Sequence, residues 1–210
     1  MNYKEVLCSD FFFDTYSKIE FMKNDYPVNH GFVHIWNVIN YAKTLANIFM
    51  LSNEETNLLL ISCALHDIGY KKGRDNHAEN GSLLAKEFLK DKLFNHQIDI
   101  ICDAIKNHGG EKLEDYYNNI SMCMVLADKF DFDKTRYRKD NINNWTDQFL
   151  NIEKIFLDKK DNIYTLTIKI TKDFDILEFK NCKYYKKLNI ILNNLYQSRN
   201  IKINIKFEVI

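Results

Sequence analysis

The chain has 210 residues, of which 46% are hydrophobic and 28% charged, a balance typical of a folded globular protein and not of a disordered one. Lys and Arg total 29, as do Asp and Glu, so the net charge is +0 and broad electrostatic binding to nucleic acid or anionic lipid is not expected. The longest apolar run, Leu58–Leu65, is far shorter than the roughly 20 residues that span a bilayer, so no membrane segment is expected. The five cysteines are widely spaced and include no CxxC pair, so we interpret them as reduced, mostly buried thiols of a cytoplasmic protein.

Apolar residues recur at helical spacing up to residue 157 and predict seven helices. We expect these helices at residues 4–23, 31–50, 52–68, 77–90, 96–108, 118–130 and 140–157. The third helix is apolar on nearly every side, so it is predicted to lie buried at the centre of the fold. Ser52 with Glu55 forms a capping-box pattern at its start, and Asn95 is the predicted cap of the fifth helix.

After residue 157 the spacing changes to the alternation of half-buried strands. Strands are predicted at residues 164–170 and 201–209, with a helix at 182–198 between them and a further short strand at 176–179. We therefore expect a mainly α protein with a helical domain at residues 1–157. A small α/β extension at residues 158–210 should pack on it, because such a piece is too small to be stable alone. Its open strand edge favours a homodimer.

Several histidines and aspartates stand at core-facing positions or at ends of the predicted helices. They are His34, His66, Asp67, His77, His108 and Asp128, and each helix or helix end contributes one residue or one adjacent pair. Any one of them alone is more simply an ordinary core or surface residue. As a set they indicate a metal site, because buried carboxylates are costly unless they are paired or metal-bound, and imidazole and carboxylate are natural ligands of divalent metals.

The chain resembles the HD-domain superfamily of metal-dependent phosphohydrolases over about residues 26–138. The matching stretches are HIWNV at 34–38, ALHDIGY at 64–70, NHAENGSLLA at 76–85, AIKNH at 104–108 and VLADK at 125–129. The resemblance implies a helical HD-type bundle and one metal ion held by His34, His66, Asp67 and Asp128. It implies a second ion at His77 and His108, with Asp67 bridging the two. The metal, one ion or two, would be Mn, Fe, Mg, Ni, Co or Zn.

The resemblance implies hydrolysis of a phosphoester of a nucleotide or another small phosphorylated metabolite by metal-activated water, with Asp67 as a catalytic residue. Many members carry a lysine directly after the HDxG sequence, where this chain has Tyr70, followed by Lys71 and Lys72. These two lysines and Arg136 are the predicted catalytic cations that would contact the phosphate. Arg74, Lys129 and Arg138 are further candidates for a phosphate contact.

Two other functions remain open from the sequence. Some two-metal members of the superfamily are di-iron oxygenases with an equivalent ligand set, and ligand type alone tolerates several metals. A non-catalytic, metal-stabilised ligand-sensing module is the second alternative, and the tyrosine in place of the lysine supports it. His30, four residues before His34, would contact a neighbouring ligand residue or the substrate, or would lie in water at the start of its helix.

Overall fold

The computed structural model describes residues 1–22, 28–110, 118–137, 147–160 and 163–210. The chain divides into two compact units. Met1–Asp25 and His30–Asp128 form the first, and Tyr26–Asn29 and Lys129–Ile210 form the second. The first unit is helical and the second contains a small sheet, so the expected mainly α class with a C-terminal α/β part is confirmed.

The described part of the first unit contains seven α-helices and one 3₁₀ turn. The helices are α1 (Tyr3–Leu7), α2 (Asp10–Phe21), α3 (Phe32–Ile48), α4 (Asn53–Leu65), α5 (His77–Leu89), α6 (Asn95–Asn107) and α7 (Asn119–Lys129). The 3₁₀ turn, Ile68–Lys72, directly follows the His66–Asp67 pair. The second to sixth predicted helices are thereby confirmed to within a few residues at each end.

Helix α4 lies at the centre of this unit, as its uniformly apolar composition predicted. Every residue from Leu58 to Leu65 is buried, and the helix packs against α1, α3 and α6. The predicted capping box is present, because the Ser52 hydroxyl accepts the Glu55 main-chain N–H while the Glu55 carboxylate accepts the Ser52 N–H. The sequence pattern therefore located both the start and the environment of the helix correctly.

The first and fifth predicted helices differ in detail from the structure. The single helix expected at 4–23 is two helices, because the Ser9 hydroxyl accepts the Phe12 N–H and starts a new helix there. Asn95 is the first residue of α6 and not its cap. The residue before it, Phe94, donates its main-chain N–H to the Gln97 side chain.

The second unit consists of a three-stranded sheet with helices. Its elements are α8 (Asp147–Leu150), β1 (Ile152–Lys160), β2 (Ile163–Ile170), α9 (Ile176–Asn181), α10 (Lys183–Arg199) and β3 (Ile203–Val209). The central strand β2 pairs antiparallel with β1 and parallel with β3, and Tyr164 lies opposite Ile203 in the parallel register. The two strands and the helix predicted here are confirmed. The expected homodimer stays a prediction.

The seventh helix predicted at 140–157 is confirmed only over the four residues of α8, Asp147–Leu150, and is wrong from residue 152 onward. Residues 152–160 form β1, and residues 138–146 lie outside the described part of the chain. The register of β1 against β2 shifts between Ile152 and Lys154, which marks an irregularity of the β-bulge type. The extra residue lets Ile152 and Ile155, three positions apart, both be buried, and this spacing imitates a helical period.

The short strand expected at 176–179 is also wrong, because these residues belong to α9. The Asp175 carboxylate accepts the main-chain N–H groups of Leu177 and Glu178 and thereby caps the helix. Three apolar residues among the four at 176–179 could not distinguish a strand from a capped helical turn.

All five cysteines are free thiols, and three of them, Cys63, Cys102 and Cys123, are buried. Among the described residues, no helix has the length and apolar character needed to cross a bilayer.

Candidate metal centre

The candidate ligands of the first unit come from the ends and inner faces of five helices. His34 lies in the first turn of α3, and His66 and Asp67 directly follow α4. His77 opens α5, His108 directly follows α6, and Asp128 lies in the last turn of α7. Except for the half-buried His77, these side chains are buried. The fold therefore brings together all six residues that the sequence predicted as metal ligands.

The first cluster contains two imidazoles and two carboxylates. His34 Nε2 lies 3.1 Å from His66 Nε2, 3.4 Å from Asp67 Oδ2 and 3.3 Å from Asp128 Oδ1. His66 Nε2 lies 3.1 Å from Asp67 Oδ2 and 3.8 Å from Asp128 Oδ1. Ligand atoms of His34, His66 and Asp128 all fall within 4.8 Å of one another, a spacing that one metal ion can span.

The second cluster is a pair of imidazoles on the other side of Asp67. His77 Nε2 and His108 Nε2 lie 3.3 Å apart, and His108 Nε2 lies 3.5 Å from Asp67 Oδ1. The two oxygens of Asp67 thus face different groups, Oδ2 toward the first cluster and Oδ1 toward the second. A carboxylate in this position can bridge two cations.

Three of the histidines each make the same kind of local hydrogen bond, which places a hydrogen on Nδ1. Nδ1 of His66, His77 and His108 lies 2.9, 2.9 and 2.6 Å from the main-chain carbonyl three residues earlier, at Cys63, Arg74 and Ile105 respectively. A carbonyl only accepts, so each Nδ1 carries a hydrogen, and in the neutral ring Nε2 then presents a lone pair to the centre. Metal-binding histidines are commonly oriented by such a bond.

Protonation of the centre follows from its burial and its neighbours. Burial lowers the pKa of His66 and of His77 from the usual 6.5, because it disfavours the charged ring. Burial alone would raise the pKa of Asp67, but the attraction of the His66 and His30 rings outweighs it and holds this pKa well below 3.8. The Asp67 carboxylate is therefore ionised, next to two histidines whose pKa burial lowers.

This donor set fits a divalent metal. Neutral imidazole nitrogens and carboxylate oxygens are the ligands that Zn, Fe, Mn, Co and Ni accept in proteins. Without a cation, the lone pairs of His77 and His108 would face each other at 3.3 Å with no hydrogen between the two Nε2 atoms. A positive ion at the centre would turn this repulsion into coordination.

The predicted cations are distributed differently. Lys71 holds its ammonium 5.4 Å from the centroid of the Phe11 ring, and Lys72 is exposed. Arg136 belongs to the second unit, where its buried side chain is 3.3 Å from Asp131. Arg74 is exposed, and Arg138 lies outside the described residues. Their contact with a phosphate stays a prediction.

Two residues near the centre carried little or no sequence signal. His30 places Nδ1 2.7 Å from Asp67 Oδ2, so of the three possibilities for this residue the structure supports contact with a ligand residue. Tyr70, noted only as a departure from the family pattern, stacks on His30. The four-residue spacing of His30 and His34 hinted at the first contact, but nothing in the sequence indicated the second.

Comparison with known proteins agrees with this arrangement. The family model described as the HD domain matches residues 31–133, which include all six candidate ligands. Residues 31–133 of the chain form an HD domain.

Among solved structures, the chain is similar to the crystal structure of a predicted HD superfamily hydrolase from an uncultured Thermotogales bacterium. The two share 16% sequence identity with a TM-score of 0.48, and the alignment covers 67% of this chain and 86% of that one. No protein with a curated description matches the chain.

Proposed function

We propose that the protein is a metal-dependent hydrolase of phosphoesters, acting on a nucleotide or another small phosphorylated metabolite. The observation that carries the proposal is the position of Asp67, whose two oxygens face two separate groups of imidazole nitrogens. Paired metal ions sharing a carboxylate are a recurrent arrangement in enzymes that cleave phosphoesters. The match to the HD domain supports the same reaction, because the superfamily that the chain resembles consists of metal-dependent phosphohydrolases.

In this proposal the ligands divide into two sets. His34, His66, Asp67 and Asp128 would hold one ion, and His77 and His108 would hold a second, with Asp67 shared between them. A bound divalent ion would supply Lewis acidity, which polarises a phosphoryl oxygen and makes water more acidic.

The protein's own residues prepare this centre. The carbonyl groups of Cys63, Arg74 and Ile105 orient three imidazoles and leave their Nε2 atoms unprotonated. The Asp67 carboxylate stays ionised and so offsets part of the metal charge. Lys71 and Lys72, directly after the 3₁₀ turn's tyrosine, are proposed to attract the substrate phosphate.

The test starts from protein purified without added metal. Elemental analysis gives the bound metal, and a panel of nucleotides and sugar phosphates with added Mn²⁺, Co²⁺ or Ni²⁺ is assayed for released phosphate. We expect turnover that Asp67→Ala reduces about 100-fold or more, since it removes a shared ligand. Asp99→Asn is the matched control, because Asp99 is 65% exposed and pairs only at the surface with Lys86.

Three outcomes would overturn the proposal. Full metal content in Asp67→Ala would show that the ligand assignment is wrong. Bound iron with oxygen consumption and no phosphate release would instead identify the oxygenase alternative, and loss of folding on chelation without any turnover would favour the sensing module.

A further inference from the structure

Tyr70 occupies a buried position beside both clusters of the candidate metal centre. It lies on the 3₁₀ turn three residues after Asp67, and its main-chain N–H donates to the Asp67 carbonyl at 3.0 Å. Only 8% of the residue is exposed. Its ring therefore fills space inside the first unit and is not a surface aromatic.

The phenol ring of Tyr70 is packed between two imidazoles. Its centroid lies 4.0 Å from that of His30 with an interplanar angle of 23°, and 4.3 Å from that of His77 with an angle of 34°. Two imidazole rings with centroids 4.0 and 4.3 Å from the centroid of a third ring cannot share one of its faces without overlapping each other. His30 and His77 therefore lie on opposite faces of the Tyr70 ring.

Each of these imidazoles contacts a different cluster of the candidate metal centre. His30 Nδ1 contacts Asp67 Oδ2 at 2.7 Å, and Asp67 belongs to the first cluster. His77 Nε2 contacts His108 Nε2 at 3.3 Å in the second cluster. One ring thus touches a neighbour of Asp67 and a predicted metal ligand at the same time.

We infer that Tyr70 is a positioning residue that sets the orientation of His30 and His77 and thereby couples the geometry of the two metal positions. The inference rests on the metal centre of the proposed function. It does not depend on the reaction. Face-to-face packing restrains both imidazoles from rotating about their side-chain bonds, and a ring that is already oriented loses less freedom when metal binds.

The experiment measures binding of Mn²⁺ to metal-free protein by calorimetry, and it needs no substrate. Tyr70→Phe keeps the ring and is expected to bind within about 2-fold of wild type. Tyr70→Leu removes the ring and is expected to weaken binding about 10-fold, the size of effect seen when a group supporting a metal ligand is lost. Binding at the position of His77 and His108 should weaken most, because the His77 ring loses its contact with the Tyr70 ring.

A control variant separates positioning from general loss of stability. Phe149→Leu removes a buried ring of the second unit that stacks on Tyr137 with centroids 4.6 Å apart. It should lower the melting temperature and leave Mn²⁺ affinity unchanged. If Tyr70→Leu does not fold, Tyr70→Met, with a flexible chain that fills gaps, takes its place with the same expectation.

Unchanged Mn²⁺ affinity in a folded ring-less variant would overturn the inference, as would equal weakening in Tyr70→Phe. Failure of the proposed function is distinguishable, because it would appear as absent phosphate release in wild-type protein whose Mn²⁺ affinity and Tyr70 dependence are intact.

Discussion

The Nε2 atoms of His77 and His108 lie 3.3 Å apart, and both rings donate their Nδ1 hydrogen to a main-chain carbonyl. When both rings are neutral, neither Nε2 carries a hydrogen, and two lone pairs face each other beside an ionised Asp67. The pair of Nε2 atoms therefore offers two ligand atoms for a second cation, apart from those of the first cluster.

The first prediction concerns this second position. His77→Ala removes one of the paired nitrogens, so we expect the metal content to fall from about two ions per chain to about one, with the first cluster retained. Elemental analysis of metal-reconstituted protein measures the ratio. His96→Ala is the control, because His96 is exposed and stacks on Phe94 outside the centre. Equal metal content in both variants would contradict the assignment.

The second prediction concerns stability. Metal that binds only the folded state should raise the free energy of unfolding by about 2.7 kcal/mol at a concentration 100 times its dissociation constant. Thermal unfolding with Mn²⁺ and then with a chelator measures the difference. Asp67→Ala should show no such shift. If Mn²⁺ does not change the melting temperature of the wild-type protein, the folded state has no site for this metal.

The third prediction tests the contact that places His77 beside the 3₁₀ turn. A methyl group at Gly69 would lie 1.9 Å from the His77 carbonyl oxygen and 2.6 Å from the Gly81 nitrogen. Because backbone atoms cannot move aside cheaply, Gly69→Ala should lower the free energy of unfolding by about 3 kcal/mol or more and reduce metal content. Urea denaturation measures the first effect.

Gly73→Ala provides the comparison for Gly69→Ala. Nothing lies within 4 Å of the added methyl there, but the residue has φ of 106°. Backbone strain alone should cost about 1–2 kcal/mol, with metal content unchanged. If both substitutions cost the same, the close packing of Gly69 would not be important for stability.

The fourth prediction concerns pH and the cap of α4. Hydrogen bonds from the Ser52 N–H and hydroxyl lower the pKa of Glu55 from 4.5. A group with a lowered folded-state pKa stabilises the protein above pH 4.5, and this contribution is lost as the pH falls through the folded-state value. Glu55→Gln should therefore cost about 0.5 kcal/mol near pH 7 and almost nothing near pH 3, since solvent screening keeps the effect small.

Urea denaturation at both pH values checks this dependence. Glu87→Gln, an exposed glutamate in α5, is the matched control and should show no such change between the two pH values. A cost for Glu55→Gln that grows toward acid pH would have the wrong sign and would disprove the capping explanation.

Local patterns predicted the helical part of the structure well. The Ser52 capping box and the apolar run Leu58–Leu65 depend on neighbours in the chain, so they could be recognised without a fold. The error at 152–157 arose because the register irregularity at Ile152 and Lys154 depends on pairing with β2. Such an irregularity changes the apolar spacing in one strand, and only the partner strand shows that a strand is present.

The sequence by itself determined which side chains are available to a metal: His34, the 66–67 pair, His77, His108 and Asp128 were recognisable from residue type, spacing and position in predicted helices. Only the tertiary structure decided that Asp67 turns one oxygen toward each cluster and that Tyr70 is packed between His30 and His77. The physical reason is distance along the chain. His30 and Tyr70 are 40 residues apart, and ring orientation depends on how distant helices pack, which no local pattern records.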